Sequence, residues 1–273
     1  METTTYDTPD GLRLDVQIPA GSVTIQSQET NVTTLEISGE RHPEDITITF
    51  DDAAHGKRLV IEQRKKSRLG LSFSRGIQVR VTVPQQTHLA VQGGSTELTV
   101  DGAIASVDFS SASGDATLDE VMGDARAKVA SGDLSVGNVA GALTFHSASG
   151  GVRADKVTGE IVARTASGDV EVGLVTNKVN VTTVSGDVTV TNLIGGNVNL
   201  QAVSGDIEVG VAPGSNVYLD LSSLSGSTDS DLAVSDSPTP APGRSSASDS
   251  SSEARLKAAT VSGDIKVRHS SAP

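Results

Sequence analysis

Six aspartates share one local setting. Asp115, Asp133, Asp169, Asp187, Asp206 and Asp264 each follow a Ser-Gly pair, and the first four are separated by 18 residues or twice that. Carboxylates that recur at a structural period stack upon one another, and stacked like charges repel unless a cation or hydrogen-bond donors hold them. The cation reading makes this column a candidate metal site built of oxygen ligands. The competing reading is an Asx turn, in which each carboxylate accepts from the amides of its own corner. The turn is favoured, because a Gly-Asp corner suits Asx chemistry. A calcium-binding roll of nine-residue period needs Gly-Gly-x-Gly-x-Asp in every block. Glycines are too few here, and Gly151 interrupts the column after Ser149-Gly150.

A second group is cationic. Arg126, Lys128, His146 and Arg164 fall at equivalent or neighbouring positions of successive 18-residue units, with Asp108 one unit before Arg126. Such a strip suits an anionic glycan or a phosphate. A solvated face with weak cross-strand ion pairs is the plainer alternative. Arg153 and Glu171, likewise 18 apart, read as an exposed salt bridge. The third group is the run Lys57–Arg80, which holds eight basic residues against one acid, Glu62. Within it Lys65, Lys66 and Phe73 are candidates for contact with anionic lipid or an acidic partner, a solvated hairpin being the competing reading.

Other chemistry is excluded or unsupported. The chain has no cysteine, so thiolate catalysis, disulfides and zinc–thiolate sites are out. A formal charge of −13 over 273 residues argues against general nucleic-acid binding. The sequence shows no phosphate loop, no histidine cluster at metal spacing and no Ser/His/Asp arrangement, which argues against catalysis and against a cofactor. No apolar stretch is long enough for a membrane-spanning helix. The first twenty residues hold no apolar run of seven, so a signal peptide is not expected and a cytoplasmic location is.

The elements that carry these residues follow from a nine-residue frame. Twelve uninterrupted blocks run from Gln86 to Leu193. Positions four and six of every block are apolar, from Leu89 and Val91 to Val188 and Val190, in a chain only 36% apolar. Position five is polar or charged in ten of the twelve. Apolar–polar–apolar is a strand with one buried face. Position nine is mostly small or branched apolar, as in Val121, Ala130, Val139 and Ala148, and is expected to tuck inward. Position two is glycine at nearly every corner from Gly114 to Gly186, as a positive-φ turn requires.

Two blocks then close one coil of 18 residues, and coils stack their strands in parallel. The expected fold is all-β: a two-sheet parallel β-solenoid of about nine coils over residues 86–270, right-handed as parallel crossovers are, with every Ser-Gly-Asp corner on one edge. Residues 1–85 lack the frame but alternate like strands, and are expected to form an N-terminal antiparallel β cap. Residues 235–252, rich in serine and proline, are expected to be a disordered loop. Two blocks resume after it with no visible cap, so self-association through the C-terminal coil is a further expectation.

Ile77–Pro84 followed by His88-Leu89-Ala90-Val91, then serial Ser-Gly-Asp blocks ending at Ser262-Gly263-Asp264-Ile265-Lys266-Val267, resembles the putative-adhesin family of bacterial β-strand-repeat proteins. The resemblance covers nearly the whole chain and implies a β-helical fold. Its label implies surface binding, the domain has no assigned function, and from the sequence no signal peptide or anchor is expected. The two functional expectations are a non-catalytic structural or interaction protein with an unidentified protein or glycan partner, and a β-helical carbohydrate-active enzyme that uses the Arg126, His146 and Arg164 face.

Overall fold

A computed structural model describes residues 2–9, 11–39, 46–53, 56–63, 76–232 and 253–270. Every regular element among them is a β-strand. The N-terminal strands are β1 (Glu2–Asp7), β2 (Leu12–Gln28), β3 (Val32–Ser38), β4 (Ile46–Ala53), β5 (Gly56–Gln63) and β6 (Ile77–Pro84). The repeat contributes β7 (Thr87–Ile104), β8 (Ser106–Ser113), β9 (Ala116–Val121), β10 (Ala125–Ser131), β11 (Leu134–Val139), β12 (Leu143–Ser149) and β13 (Val152–Val157). It continues with β14 (Ile161–Ser167), β15 (Val170–Val175), β16 (Val179–Ser185), β17 (Val188–Leu193), β18 (Gly196–Ser204) and β19 (Ile207–Val211). The chain ends with β20 (Asn216–Ser225), β21 (Thr228–Ser230), β22 (Glu253–Ser262) and β23 (Ile265–His269).

The expected solenoid is present. Strands β8, β10, β12, β14, β16 and β18 form one parallel stack, and β9, β11, β13, β15, β17 and β19 form the other. Register advances by 18 residues per coil, so that Val170 sits between Val152 and Val188. All positions four and six are buried, Val170 and Val172 at 1% exposure each. The Ser-Gly corners align in single file, with Ser113, Ser131, Ser149, Ser167, Ser185 and Ser204 paired in sequence.

Position nine behaves differently at the two edges. Val121, Val139, Val157 and Val175 are buried, whereas Ala130, Ala148, Ala166 and Val184 are exposed. On the Ser-Gly-Asp side the strands keep period two as far as position eight, so Val129, Thr165 and Thr183 take the inward place instead. Position nine then points out.

The N-terminal segment holds both pairing types. β1 with β3, β3 with β6 and β4 with β5 are antiparallel. β2 is instead one unbroken parallel layer on β7, in register from Leu12–Thr87 to Gln26–Asp101. β5 and β6 pair in parallel with the two halves of β2. Solenoid stacking therefore starts before the nine-residue frame can be read, because β2 and β7 round the corner as continuous strands without a Ser-Gly-Asp bend.

The C-terminal coil is not the open end. β22 lies between β18 and β20, and β23 between β19 and β21. The last coil in sequence is the penultimate coil in space, with neighbours on both sides. The coil that lacks an outer neighbour among the described residues is β20–β21. Its inward side chains Val217, Leu219 and Leu221 are only partly buried as a result. The expected loop 235–252 lies outside the described residues.

Candidate anion-binding strip and aspartate file

Strand alternation sets the strip. Ala127, Val129, Phe145 and Ala163 point into the core, which turns Lys128, His146 and Arg164 outward. Parallel register places these three in one row on β10, β12 and β14. At about 4.8 Å per strand, the outer two backbones stand roughly 10 Å apart. Ser110 and Thr182 continue the row on either side. Lys128, His146 and Arg164, with Ser147, Thr165 and Thr182, line a shallow depression of about 430 Å³ that is open to solvent.

Neither Lys128 nor Arg164 meets an acid within ion-pair distance among the described residues. Partial burial, with the charges of Arg164 and Lys128 adding to it, pulls the His146 pKa below its ordinary value. Protonating the imidazole would add charge where charge is already unbalanced. Arg126 does not belong to this set. Its Nη2 donates to Asp124 Oδ2 at 2.7 Å, and Asp108, though opposite it in register, is not its ion-pair partner. The amide of Ala142 and the Arg126 guanidinium hold the Asp124 carboxyl below the usual carboxylate range. On the other sheet Arg153 pairs with Glu171 at 2.6 Å, both exposed, as the spacing predicts.

The aspartate file works differently from an Asx turn. Each carboxylate accepts from the corner amide of the neighbouring coil and not from its own. Asp133 N donates to Asp115 Oδ1 at 2.9 Å, Gly151 N to Asp133 at 2.7 Å, and Asp187 N to Asp169 at 2.8 Å. The ladder continues through Asp206 N to Asp187 and Asp264 N to Asp206, both at 2.8 Å. Asp264 accepts from the Ser227 amide and hydroxyl, and these bonds pull its pKa down. Donors from the neighbouring layer thus supply the stabilisation for which a cation would otherwise be invoked. No group of three or more potential metal ligands is assembled among the described residues.

Beside the carboxylates runs a second column that the sequence reading missed. Thr165 Oγ1 donates to Gly150 O at 3.1 Å, Thr260 to Gly205 O at 3.2 Å, and Ser223 to Gly263 O at 2.9 Å. The signal was the hydroxyl at position eight, one residue before the position expected to turn inward.

Two further features come from pairings that the frame does not display. A cleft of about 880 Å³ near the N-terminal end is lined by Arg13, Lys57, Arg58 and His88, with Asp51. Its arginines are engaged by the buried Asp15, at 2.5 Å from Arg58 and 3.6 Å from Arg13. At its rim His88 Nδ1 shares a 2.7 Å hydrogen bond with Ser106 Oγ. No carboxylate orients the ring from its other nitrogen among the described residues, so a hydrolytic triad is not formed there. Lys65, Lys66 and Phe73 lie outside the described residues.

With fold and site in place, comparison with known proteins assigns the lineage. Residues 12–268 match the sequence profile of the Toastrack DUF4097 family. The chain belongs to that family. The match begins at β2, the first parallel layer, and ends in β23. No curated protein matches the chain. Among solved structures, a putative adhesin from Bacteroides fragilis is 16% identical with a TM-score of 0.42, covering 97% of this chain and 96% of that one. A putative adhesin from Parabacteroides distasonis is 10% identical with a TM-score of 0.38, at 97% and 96% coverage. A putative cell adhesion protein from Clostridium sporogenes is 11% identical with a TM-score of 0.26, at 98% and 99% coverage.

Proposed function

We propose that this Toastrack solenoid is a non-catalytic interaction protein that holds an anionic glycan along the Lys128–His146–Arg164 row. The observation that carries the reading is the register: three cationic or ionisable side chains abreast on adjacent strands, without an acid paired to Lys128 or Arg164, in a chain whose net charge is −13. An unpaired cation pair on an otherwise acidic rod creates a local reversal of field. A rigid sheet presents it without ordering a loop on binding, which lowers the entropic cost of association. The same row offers nothing for bond cleavage. It has no carboxylate pair and no nucleophile activated by a base.

Exposed charge contacts contribute about 0.2–1 kcal/mol each, so affinity should be weak per site and salt-sensitive. The test is an array of sulfated, uronate-bearing, phosphorylated and neutral oligosaccharides at low ionic strength. The wild-type protein should retain anionic members only, and Lys128→Glu/Arg164→Glu should lose roughly tenfold or more in affinity. Equal retention by the double variant refutes the site, and cleavage of a retained sugar refutes the non-catalytic reading.

A further inference from the structure

The coil made by β22 and β23 enters between two layers that precede it in the chain. After Val211 the chain uses four residues, 212–215, to step to the next layer but one, with Gly214 turning at φ +82°. That step leaves a gap one strand wide between β18–β19 and β20–β21. Residues 253–269 fill it. Inward, Ala254, Leu256, Ala258, Ile265 and Val267 are all at 0% exposure. At the corner, Gly205 N donates to Ser262 O at 3.1 Å and Gly263 N to Ser225 O at 3.3 Å. The aspartate ladder passes through it without a break, from Asp206 to Asp264 to Ser227.

Nothing in these contacts requires the inserted coil to come from the same molecule. The inserted coil is joined to β21 through residues 231–252, whereas the step from β19 to β20 needs only four residues. At about 3.3 Å per residue such a connection reaches some 70 Å when extended, farther than the step back by one layer demands. We infer that the gap between β18–β19 and β20–β21 is a self-recognition site, in which the C-terminal coil of a second copy of this chain takes the place of the chain's own. Two copies exchanging these coils keep every backbone and side-chain pairing of the monomer, and only chain connectivity changes.

The partition follows from effective concentration. A connection of this length holds its own coil at roughly millimolar local concentration. Refolding at 100 µM should therefore give about one exchanged chain in ten, and at 10 µM about one in a hundred. The chain has no cysteine, so single thiols report cleanly. Gln201 on β18 lies beside Ala259 on β22, both on the outer row. Full-length Gln201→Cys and Ala259→Cys chains are unfolded together, refolded and treated with a short bismaleimide. The expected result is a covalent heterodimer that grows tenfold between 10 and 100 µM and is absent when the two proteins are mixed already folded. If either variant fails to regain its β-sheet circular dichroism, Asn199→Cys with Lys257→Cys tests the same register. No heterodimer at 100 µM with both chains folded overturns the inference. So does equal cross-linking without unfolding, which an edge contact would give.

Discussion

Gly186→Ala is the sharpest probe of how the layers stack. Gly186 sits at φ +155°, and a Cβ there would lie 2.2 Å from the Gly168 carbonyl oxygen and 2.6 Å from its carbon, one coil below. Two penalties combine. The backbone region is nearly glycine-only and costs an alanine roughly 1–3 kcal/mol. The contact is with backbone, so the layers must part by about 1 Å, an overpacking strain of roughly 1–3 kcal/mol. The expected loss is therefore about 2–6 kcal/mol. Gly214 supplies the control. Its φ is +82° and a Cβ there would meet nothing within 4 Å, so Gly214→Ala should cost only the conformational part, about 1–2 kcal/mol. Urea unfolding with hydrogen exchange resolved by peptide separates the two, since a repeat protein need not unfold as one unit. Exchange should rise in β14–β17 for Gly186→Ala and stay near wild type for Gly214→Ala. Equal costs for the two would mean that the corner glycines answer to φ alone, and the close-stacked column would be wrong.

Three further outcomes follow from the ladders and charges. Asp187→Asn keeps an acceptor for the Asp206 amide while removing one of a file of like charges, so urea midpoints should be unchanged or raised; Asp187→Ala loses the acceptor and should cost about 1 kcal/mol. Among the described residues Thr183 Oγ1 is buried without a partner, whereas Thr165 Oγ1 bonds Gly150. Thr183→Val should therefore be neutral or stabilising and Thr165→Val destabilising by about 1 kcal/mol, read from the same melts. Acid should weaken the fold in two stages. His146 has a folded pKa below its unfolded value of 6.5, so the unfolded chain binds the extra proton and stability begins to fall as pH drops through that value. Asp124 and Asp264 have pKa values depressed from 3.8, so their contribution, present above that value, is lost as pH falls through it. His146→Asn melts should lack the first stage only.

The nine-residue frame made the core legible because burial and periodicity are the same fact seen twice: Leu89 through Val190 alternate in sequence and point inward in space. The row Lys128–His146–Arg164 was legible for the same reason, since parallel register makes an 18-residue spacing a contact. Arg126 was grouped with that row because its spacing shows a neighbour in Asp108 but does not show which carboxylate it pairs with, and Asp124, in the turn just before β10, is its partner. The Asp file was read as self-contained turns, because a local motif suggests local bonds, yet the donor is the amide one coil on. Layer order was not legible at all. The repeat coils offer the same Ser-Gly register, so Ser262 pairs equally well with Ser204 and Ser225, and the frame cannot say that residues 253–269 lie inside residues 216–230. β2 was hidden for the opposite reason: it obeys the strand period but carries no corner triplet.

Binding of a sulfated hexasaccharide by isothermal titration, at pH 8.0 and pH 5.5, tests the proposed role most directly. The row predicts a complex that does not weaken as pH falls, because any proton taken up by His146 adds a third positive charge, and that weakens roughly tenfold or more at both pH values in Lys128→Glu/Arg164→Glu. Heats unchanged by that double substitution, or an affinity that falls at the lower pH, would contradict it.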